Sequence, residues 1–195
     1  MNENGLPFSI RRLEAKDIPT VTSIDRLVFH DPWPESAYVQ ELYFNPNAHY
    51  FVLQLTPAMP THTWVEGRAA LASQIVGYMG VRIEMERGHI STLALRPEWR
   101  GRGLGEMLLC TALHQAIHSG AHTVALEVRV SNISAQNLYA KYDFVIVSQL
   151  RGYYADGEDA YYMRANVEGQ AYYHYVQKRR AMLEYRFHPQ PVSIA

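Results

Sequence analysis

A single cysteine in 195 residues, Cys110, leaves no partner for an internal disulfide. Packing alone must hold the fold, as it does in a reducing cytoplasm. With no activating partner marked in the sequence, Cys110 reads as a helix-packing residue and not as a nucleophile. No apolar run approaches the ~20 residues that cross a bilayer. The opening Met1-Asn2-Glu3-Asn4-Gly5 has neither a charged nor an apolar leader region. A soluble, unexported, cytoplasmic protein with no membrane partner is expected. An excess of one charge is missing too. The 18 Lys and Arg against 19 Asp and Glu give a formal net charge of −1, so no global basic field draws the chain to DNA. Internal repeats and low-complexity tracts are absent, and the sequence sets no oligomeric state.

What is present is a globular composition, 48% hydrophobic and 19% charged, enough for one well-cored domain plus a short appendage. Phe8 to Leu13 alternates as a strand. Asp17-Ile18-Pro19 starts a helix that runs to about Val28, and a second short helix carrying Tyr38, Leu42 and Tyr43 ends near Asn45-Pro46. Between them Asp31-Pro32-Trp33-Pro34-Glu35 puts Trp33 on a loop, as a cap on the core or as a substrate contact. His49–Leu55 and Ile75–Ile83 read as strands, separated by a long connection, 56–73, that carries Trp64 and is read as an insertion. Gly88 is expected to turn the chain into a strand over Ile90–Leu95, which Pro97 ends.

From Leu104 to about Ser119 the apolar residues recur at helical spacing. His114 and His118 have a metal-like spacing but project from the side opposite the apolar arc, and no third ligand is indicated, so no metal is expected. Thr123–Val130 alternates, with Val124, Leu126 and Val128 on one face and Ala125, Glu127 and Arg129 on the other. Ser131 or Asn132 then caps a helix with Ala135, Leu138, Tyr139 and Tyr142 as its stripe. Strands over Phe144–Gln149 and Ala160–Arg164 flank a loop with adjacent Tyr153 and Tyr154. The order predicts an α/β fold with a mixed sheet. Past Asn166, Tyr172, Tyr175, Val176, Met182 and Leu183 fall at near-helical spacing beside Lys178, Arg179 and Arg180, which reads as a docking helix. An RNA contact by that one basic cluster is the weaker reading.

The stretch with most chemistry is Arg100-Gly101-Arg102-Gly103-Leu104-Gly105, between an apolar strand and a helix start. Its glycines can take positive φ and leave N–H groups unshielded, its arginines add charge, and the helix dipole points at the same spot. The turn suits a pyrophosphate. It lacks the Gly-Lys-Ser/Thr of a P-loop and the third glycine of a dinucleotide fingerprint. An ordinary strand-to-helix turn with solvated arginines stays open on these six residues alone.

Several stretches taken together resemble one family. Asp-Pro-Trp-Pro-Glu around Trp33, Arg-x-x-Gly-x-Gly at Arg100, Gly103 and Gly105, Leu126-Glu127-Val128-Arg129 with Ser131-Asn132, Leu138-Tyr139, and Tyr153-Tyr154 with Gly157-Glu158-Asp159-Ala160 resemble the GNAT N-acetyltransferase superfamily. Within it they are most similar to RimI-type ribosomal-protein alanine N-acetyltransferases. The likeness spans about Val76 to Met163 and leaves the 56–73 insertion and the tail beyond Asn166 unexplained. Where the family usually has glycine before Phe144, this chain has Asp143, a residue that tolerates the left-handed conformation.

The resemblance implies a GNAT fold over residues 1–166, a mixed and mostly antiparallel sheet flanked by helices, with 167–195 as a C-terminal extension. It implies acetyl-CoA as cosubstrate. Leu93, Ala94 and Leu95 meet the pantetheine arm with backbone groups, Arg100, Gly101, Arg102, Gly103, Leu104 and Gly105 hold the pyrophosphate, and Asn132 and Tyr139 touch the cofactor. Glu127 takes the role of general base and Tyr139 that of the acid that protonates the departing thiolate, while Trp33, Glu127, Tyr153 and Tyr154 face the acceptor. On spacing alone Glu127 reads equally as a solvated strand carboxylate and Tyr139 as a core aromatic. The implied reaction is acetyl transfer to the N-terminal α-amine of a protein, a ribosomal protein in the relatives. A small-molecule amine, a lysine side chain, or CoA binding without catalysis are the alternatives; the Glu127 and Tyr139 pair argues against the last.

Overall fold

The computed structural model describes residues 8–55 and 74–187. The insertion at 56–73, with Trp64, and the end of the tail lie outside the described residues. Seven strands form one sheet in the order β1-β2-β3-β4-β5-β7-β6. Their ranges are β1 Phe8–Arg12, β2 Ala48–Leu55, β3 Gln74–Glu84, β4 Arg87–Leu95, β5 Thr123–Arg129, β6 Val145–Leu150 and β7 Ala160–Asn166. Every neighbouring pair is antiparallel except β4 with β5. The α-helices among the described residues are α1 Ile18–Val28, α2 Glu35–Phe44, α3 Leu104–His118, α4 Ile133–Ala140 and α5 Gln170–Phe187. The mixed, mostly antiparallel sheet expected from the sequence is the sheet observed.

The strand alternation sorts side chains to two cores. On one face Val76, Met79, Val124, Leu126 and Val128 pack with Leu104, Leu108 and Leu113 of α3, and Val176, Leu183 and Phe187 of α5 join the same cluster. On the other, Val21 and Ile24 of α1 and Tyr38 of α2 pack with Tyr50, Val52, Tyr78 and Ala94. Glu127 alternates with Leu126 and Val128 along β5, so it stands on the face away from α3.

One turn differs from expectation. Gly88 does not turn the chain; it lies inside β4, paired with Ile83. The reversal is at Met85-Glu86, with Met85 at φ 51°. The glycine serves close packing instead, since a Cβ there would lie 3.1 Å from a Val124 methyl and 3.3 Å from Ala116. At Asp143 the expected left-handed cap is present, at φ 58°.

The buried carboxylate of Glu106 on α3 holds three elements together. It accepts from Arg179 of α5, from the Tyr142 hydroxyl at 3.0 Å and from Lys141 at 3.4 Å. Those cations keep its carboxyl below the usual range although burial opposes them. Cys110 is buried beneath this cluster with Sγ 3.0 Å from the Tyr142 hydroxyl, and burial pushes its thiol up to about 11, consistent with a packing role.

Candidate functional site

The site is built on a fork in the sheet. β4 and β5 pair in parallel only from Arg87–Thr123 to His89–Ala125. Beyond His89 no strand among the described residues covers the β5-facing edge of β4, so Leu93, Ala94 and Leu95 border an opening whose backbone groups can take a ligand in place of a ladder. On the β3 side the register shifts between Gly80 and Val81, a bulge just past the point where the pairing of β4 with β5 stops.

The glycine turn stands at the mouth of the fork. Gly101 and Gly103 have φ 73° and 90°. Gly103 is the N-cap of α3 and supplies no side-chain cap. The first N–H groups of α3 therefore have no intrahelical acceptor and can donate to an anion. Arg100 is braced by Nε donating to the Leu95 carbonyl at 3.4 Å, and Arg102 lies 4.9 Å over the Trp99 ring while donating to the Glu98 carbonyl at 3.2 Å. A Cβ on Gly105 would sit 3.5 Å from Leu95 Cδ1 and 3.7 Å from Leu138 Cδ2, which places it between the end of β4 and α4. Asn132 caps α4, its Oδ1 accepting from the Ala135 N–H at 3.1 Å.

Inside the fork, Glu127 Oε2 lies 2.8 Å from His89 Nε2, with side-chain exposures of 17% and 39%. His89 was not among the residues singled out from the sequence. It precedes the stretch read as a strand, and a separation of 38 positions hides the contact, which follows only from the parallel register of β4 on β5. Tyr139 is buried against Phe144. Burial, helped by nearby Tyr154, raises its phenol well above the ordinary range, and it has no hydrogen-bonding partner among the described residues. Tyr154 is pushed up to about 12, chiefly by burial, with Glu127 among the charges that it senses. Glu127, Tyr139, Tyr153 and Tyr154 thus share one electrostatic neighbourhood.

The tyrosine loop is held by charge. Arg129, at the end of β5, stacks 3.9 Å over the Tyr154 ring and donates to Asp156 at 2.8 Å and Glu158 at 2.6 Å. The Ser131 N–H donates to Glu158 and the Gly152 N–H to Asp159. Contacts from Ser131 and Arg129 hold the Glu158 carboxyl down to about 2. Tyr153 and Tyr154 meet edge to face at 5.2 Å.

Trp33 takes the core-cap position. Its ring packs on Tyr38 at 5.6 Å and beneath Arg82 at 6.0 Å. The backbone N–H of Trp33 donates to Asp25 Oδ2 at 3.3 Å, and the same oxygen accepts from the Tyr38 hydroxyl at 2.6 Å. The Tyr38 and Tyr78 hydroxyls are 2.9 Å apart, and Thr92 of β4 donates to Tyr78 at 3.3 Å. A buried polar chain therefore joins the Trp33 loop to the wall of the fork. No spacing rule links these residues, so the sequence did not reveal it.

Burial pushes Asp25 up to about 6, against the Tyr38 and Trp33 hydrogen bonds that lower it. The sign follows directly. Between the ordinary 3.8 and about 6 the folded state keeps a proton that the unfolded state releases, so this carboxyl lends stability at low pH that is lost as pH rises through about 6. Asp25→Asn removes that dependence. Its Tm relative to wild type should rise between about pH 5 and about pH 7.5; a difference that is flat with pH, measured by calorimetry, excludes the shift.

His114 and His118 stack at 6.1 Å, with Tyr173 of α5 at 6.3 Å from His114. Among the described residues no group of three His, Cys, Asp or Glu is arranged to hold a metal, and no helix is long and apolar enough to cross a membrane. A cavity of about 510 Å³ lined by Phe8, Ile10, Met107, Arg180 and Glu184 lies on the α3 side of the sheet and shares no residue with the fork.

Residues 18–144 match the Acetyltransferase (GNAT) family. A putative [ribosomal protein bS18]-alanine N-acetyltransferase of Bacillus subtilis is 34% identical over 156 residues, covering 80% of this chain and 93% of its own. An N-alpha-acetyltransferase of Sulfurisphaera tokodaii is 33% identical over 177 residues, covering 84% and 95%. In three dimensions the crystal structure of the ribosomal-protein-S18-alanine N-acetyltransferase from Escherichia coli superposes with a TM-score of 0.68 at 23% identity, over 84% of this chain and 96% of that one. The likeness in fold, the glycine turn at the N-terminus of α3 and the open fork beside it agree with the sequence match: the chain belongs to the GNAT family and is an acetyltransferase.

Proposed function

We propose that this acetyltransferase moves the acetyl group of acetyl-CoA to the α-amine of a protein N-terminus, with a ribosomal-protein N-terminal alanine as the acceptor that its relatives suggest. The observation that carries the reading is the fork: an uncovered β4 edge with an uncapped helix N-terminus at its mouth and a partly exposed carboxylate, Glu127, inside it. Acetyl-CoA supplies the thioester. Leu93, Ala94 and Leu95 bind its pantetheine through backbone groups, residues 100–105 take the pyrophosphate, and Asn132 lies alongside. Glu127 accepts the ammonium proton, the freed amine attacks the carbonyl carbon, the C–N bond forms and the C–S bond breaks, and the nitrogen sheds its second proton to water, from which Tyr139 is reprotonated after turnover. Tyr139, kept protonated by its burial, gives its proton to the leaving sulfur. The tyrosine loop and the Trp33 loop flank the acceptor backbone.

An α-amine suits one carboxylate base. Its pKa of ~7.7–8.0 against ~10.4 for lysine makes its lone pair about 3 kcal/mol easier to free near neutral pH. Two sequence-matched peptides test this, one with a free N-terminal alanine and one N-terminally blocked with an accessible lysine. The free peptide should be acetylated at least ~10-fold faster, a factor worth about 1.4 kcal/mol. Equal rates replace the α-amine with a lysine or small-molecule acceptor.

The cofactor assignment has its own test. Acetyl-CoA at one hundred times its Kd should stabilise the protein by ~2.7 kcal/mol. Gly105→Val fills the gap between Leu95 and Leu138 at a position that needs no positive φ. It should leave the apo Tm near wild type and remove most of the ligand-dependent rise. Gly103 is the poorer probe, because its φ of 90° and a Leu183 methyl 3.4 Å from its Cβ position would strain the apo fold and press on α5. An undiminished shift in Gly105→Val excludes the fork as the cofactor site.

A further inference from the structure

We propose that Arg186, in the last turn of α5, is a further cofactor-binding residue, its guanidinium closing on the pyrophosphate of acetyl-CoA from the C-terminal extension. The inference rests on the turn at 100–105 holding that group, and it adds a residue from outside the span 18–144 that matches the family. Three observations carry it. The first is position. Tyr173, Arg179 and Arg186 of α5 lie in turn beside His114, Glu106 and Gly103, so α5 runs antiparallel to α3 and its end comes to the start of α3. A Cβ on Gly103 would lie 3.6 Å from Arg186 Nη1. The guanidinium therefore stands against the residue that caps α3, beside the N–H groups that have no intrahelical acceptor.

The second is anchoring. Leu183 and Phe187, neighbours of Arg186 on the helix, are buried, and Phe187 meets Phe8 edge to face at 5.4 Å. Phe8 in turn meets Trp99 at 5.6 Å, so the last turn of α5 is pinned to the segment that leads into the glycine turn. The ion pair of Arg179 with Glu106 fixes the same helix further back. The third is that this guanidinium is uncommitted. Of the three arginines of α5, Arg179 is engaged by Glu106 and Arg180 by Glu184 at 2.8 Å. Arg186 is exposed and makes no ion pair or side-chain hydrogen bond among the described residues. Charge supplies the reason for a cation here. The C-terminal end of α5 carries partial negative charge, and without Arg186 it would oppose an anion at the start of α3. Meanwhile Arg102 is turned onto the Trp99 ring and the Glu98 carbonyl, and Arg100 Nε onto the Leu95 carbonyl. Arg186 keeps its whole flat fork of donors for phosphate oxygens.

The experiment titrates CoA and 3′-dephospho-CoA into wild type, Arg186→Gln, Arg186→Lys and Gly105→Val by calorimetry, at a temperature where each protein is folded. Arg186→Gln should raise the Kd of both ligands by the same factor, about 10-fold, as expected for one charge-assisted contact. Arg186→Lys keeps the charge without the fork and should fall between Arg186→Gln and wild type. The affinity of wild type should also drop more steeply with added salt than that of Arg186→Gln, because one screened ion contact is gone. A Kd within about twofold of wild type in Arg186→Gln overturns the proposal; joined to a lower apo Tm, it reduces Arg186 to a counter-charge for the end of α5. A loss seen with CoA and not with 3′-dephospho-CoA also overturns it, since the guanidinium would then meet the 3′-phosphate. Gly105→Val separates the two levels of inference. If it loses the cofactor while Arg186→Gln binds as wild type does, only the role of Arg186 fails; if Gly105→Val itself binds as wild type does, the fork is not the cofactor site and the proposal falls with it.

Discussion

Glu127→Gln is expected to lower kcat by ~10²–10⁴, the range for loss of one general base, with the affinity for acetyl-CoA unchanged. Glutamine nearly matches the shape of glutamate and can still hydrogen-bond His89 across the 2.8 Å contact, so packing at the closed end of the fork is preserved. What it cannot do is take a proton. The cofactor-binding elements proposed here, the β4 edge and the turn at 100–105, are contributed by other segments, so the thermal shift with acetyl-CoA should match wild type. A loss of that shift together with the loss of rate would mean that the substitution has closed the fork and says nothing of base catalysis. A kcat within about threefold of wild type would return Glu127 to the role of a solvated strand carboxylate.

The parts of this arrangement that were legible in the sequence are those fixed by local periodicity. The alternation along β5 assigned Glu127 to the face away from Leu126 and Val128, and the sheet bears that out. The two-sided sheet itself followed from the order of strands and helices. Asp143 in place of a glycine pointed to the left-handed cap found at φ 58°. What failed or was missed depends on pairing between distant segments. β4 starts at Arg87 and not at Ile90 because its first residues, Arg87-Gly88-His89, carry no apolar alternation; they owe their strand conformation to Glu84, Ile83 and Arg82 across the ladder. Reading Gly88 as the turn cost the strand its first residues and with them His89. The chain from Asp25 through Tyr38 and Tyr78 to Thr92 was hidden for the same reason, since α1, α2, β3 and β4 each give it one residue. Tyr139 is the intermediate case: its stripe position predicted burial, and burial alone does not separate a core aromatic from an acid.

Tyr139→Phe makes that separation. A buried tyrosine that serves the fold usually has its hydroxyl in a hydrogen bond, and deleting the group then leaves a partner unsatisfied at about 1–3 kcal/mol. Here the hydroxyl has no such partner among the described residues, and its surroundings, Phe144 among them, raise the phenol by desolvation. Removing the oxygen deletes no hydrogen bond of the fold, and the oxygen is not among the buried polar atoms left without a partner, so the apo Tm of Tyr139→Phe should stay at or near that of wild type. The rate should fall. If the hydroxyl is the proton donor to the CoA sulfur, kcat falls by ~10²–10⁴ while acetyl-CoA binding is nearly unchanged, because the donor acts only as the C–S bond breaks. A lower Tm with kcat retained would make Tyr139 a core residue. A Tm held while turnover collapses is the signature of an oxygen kept for chemistry, and calorimetry beside steady-state kinetics on the one variant reads both.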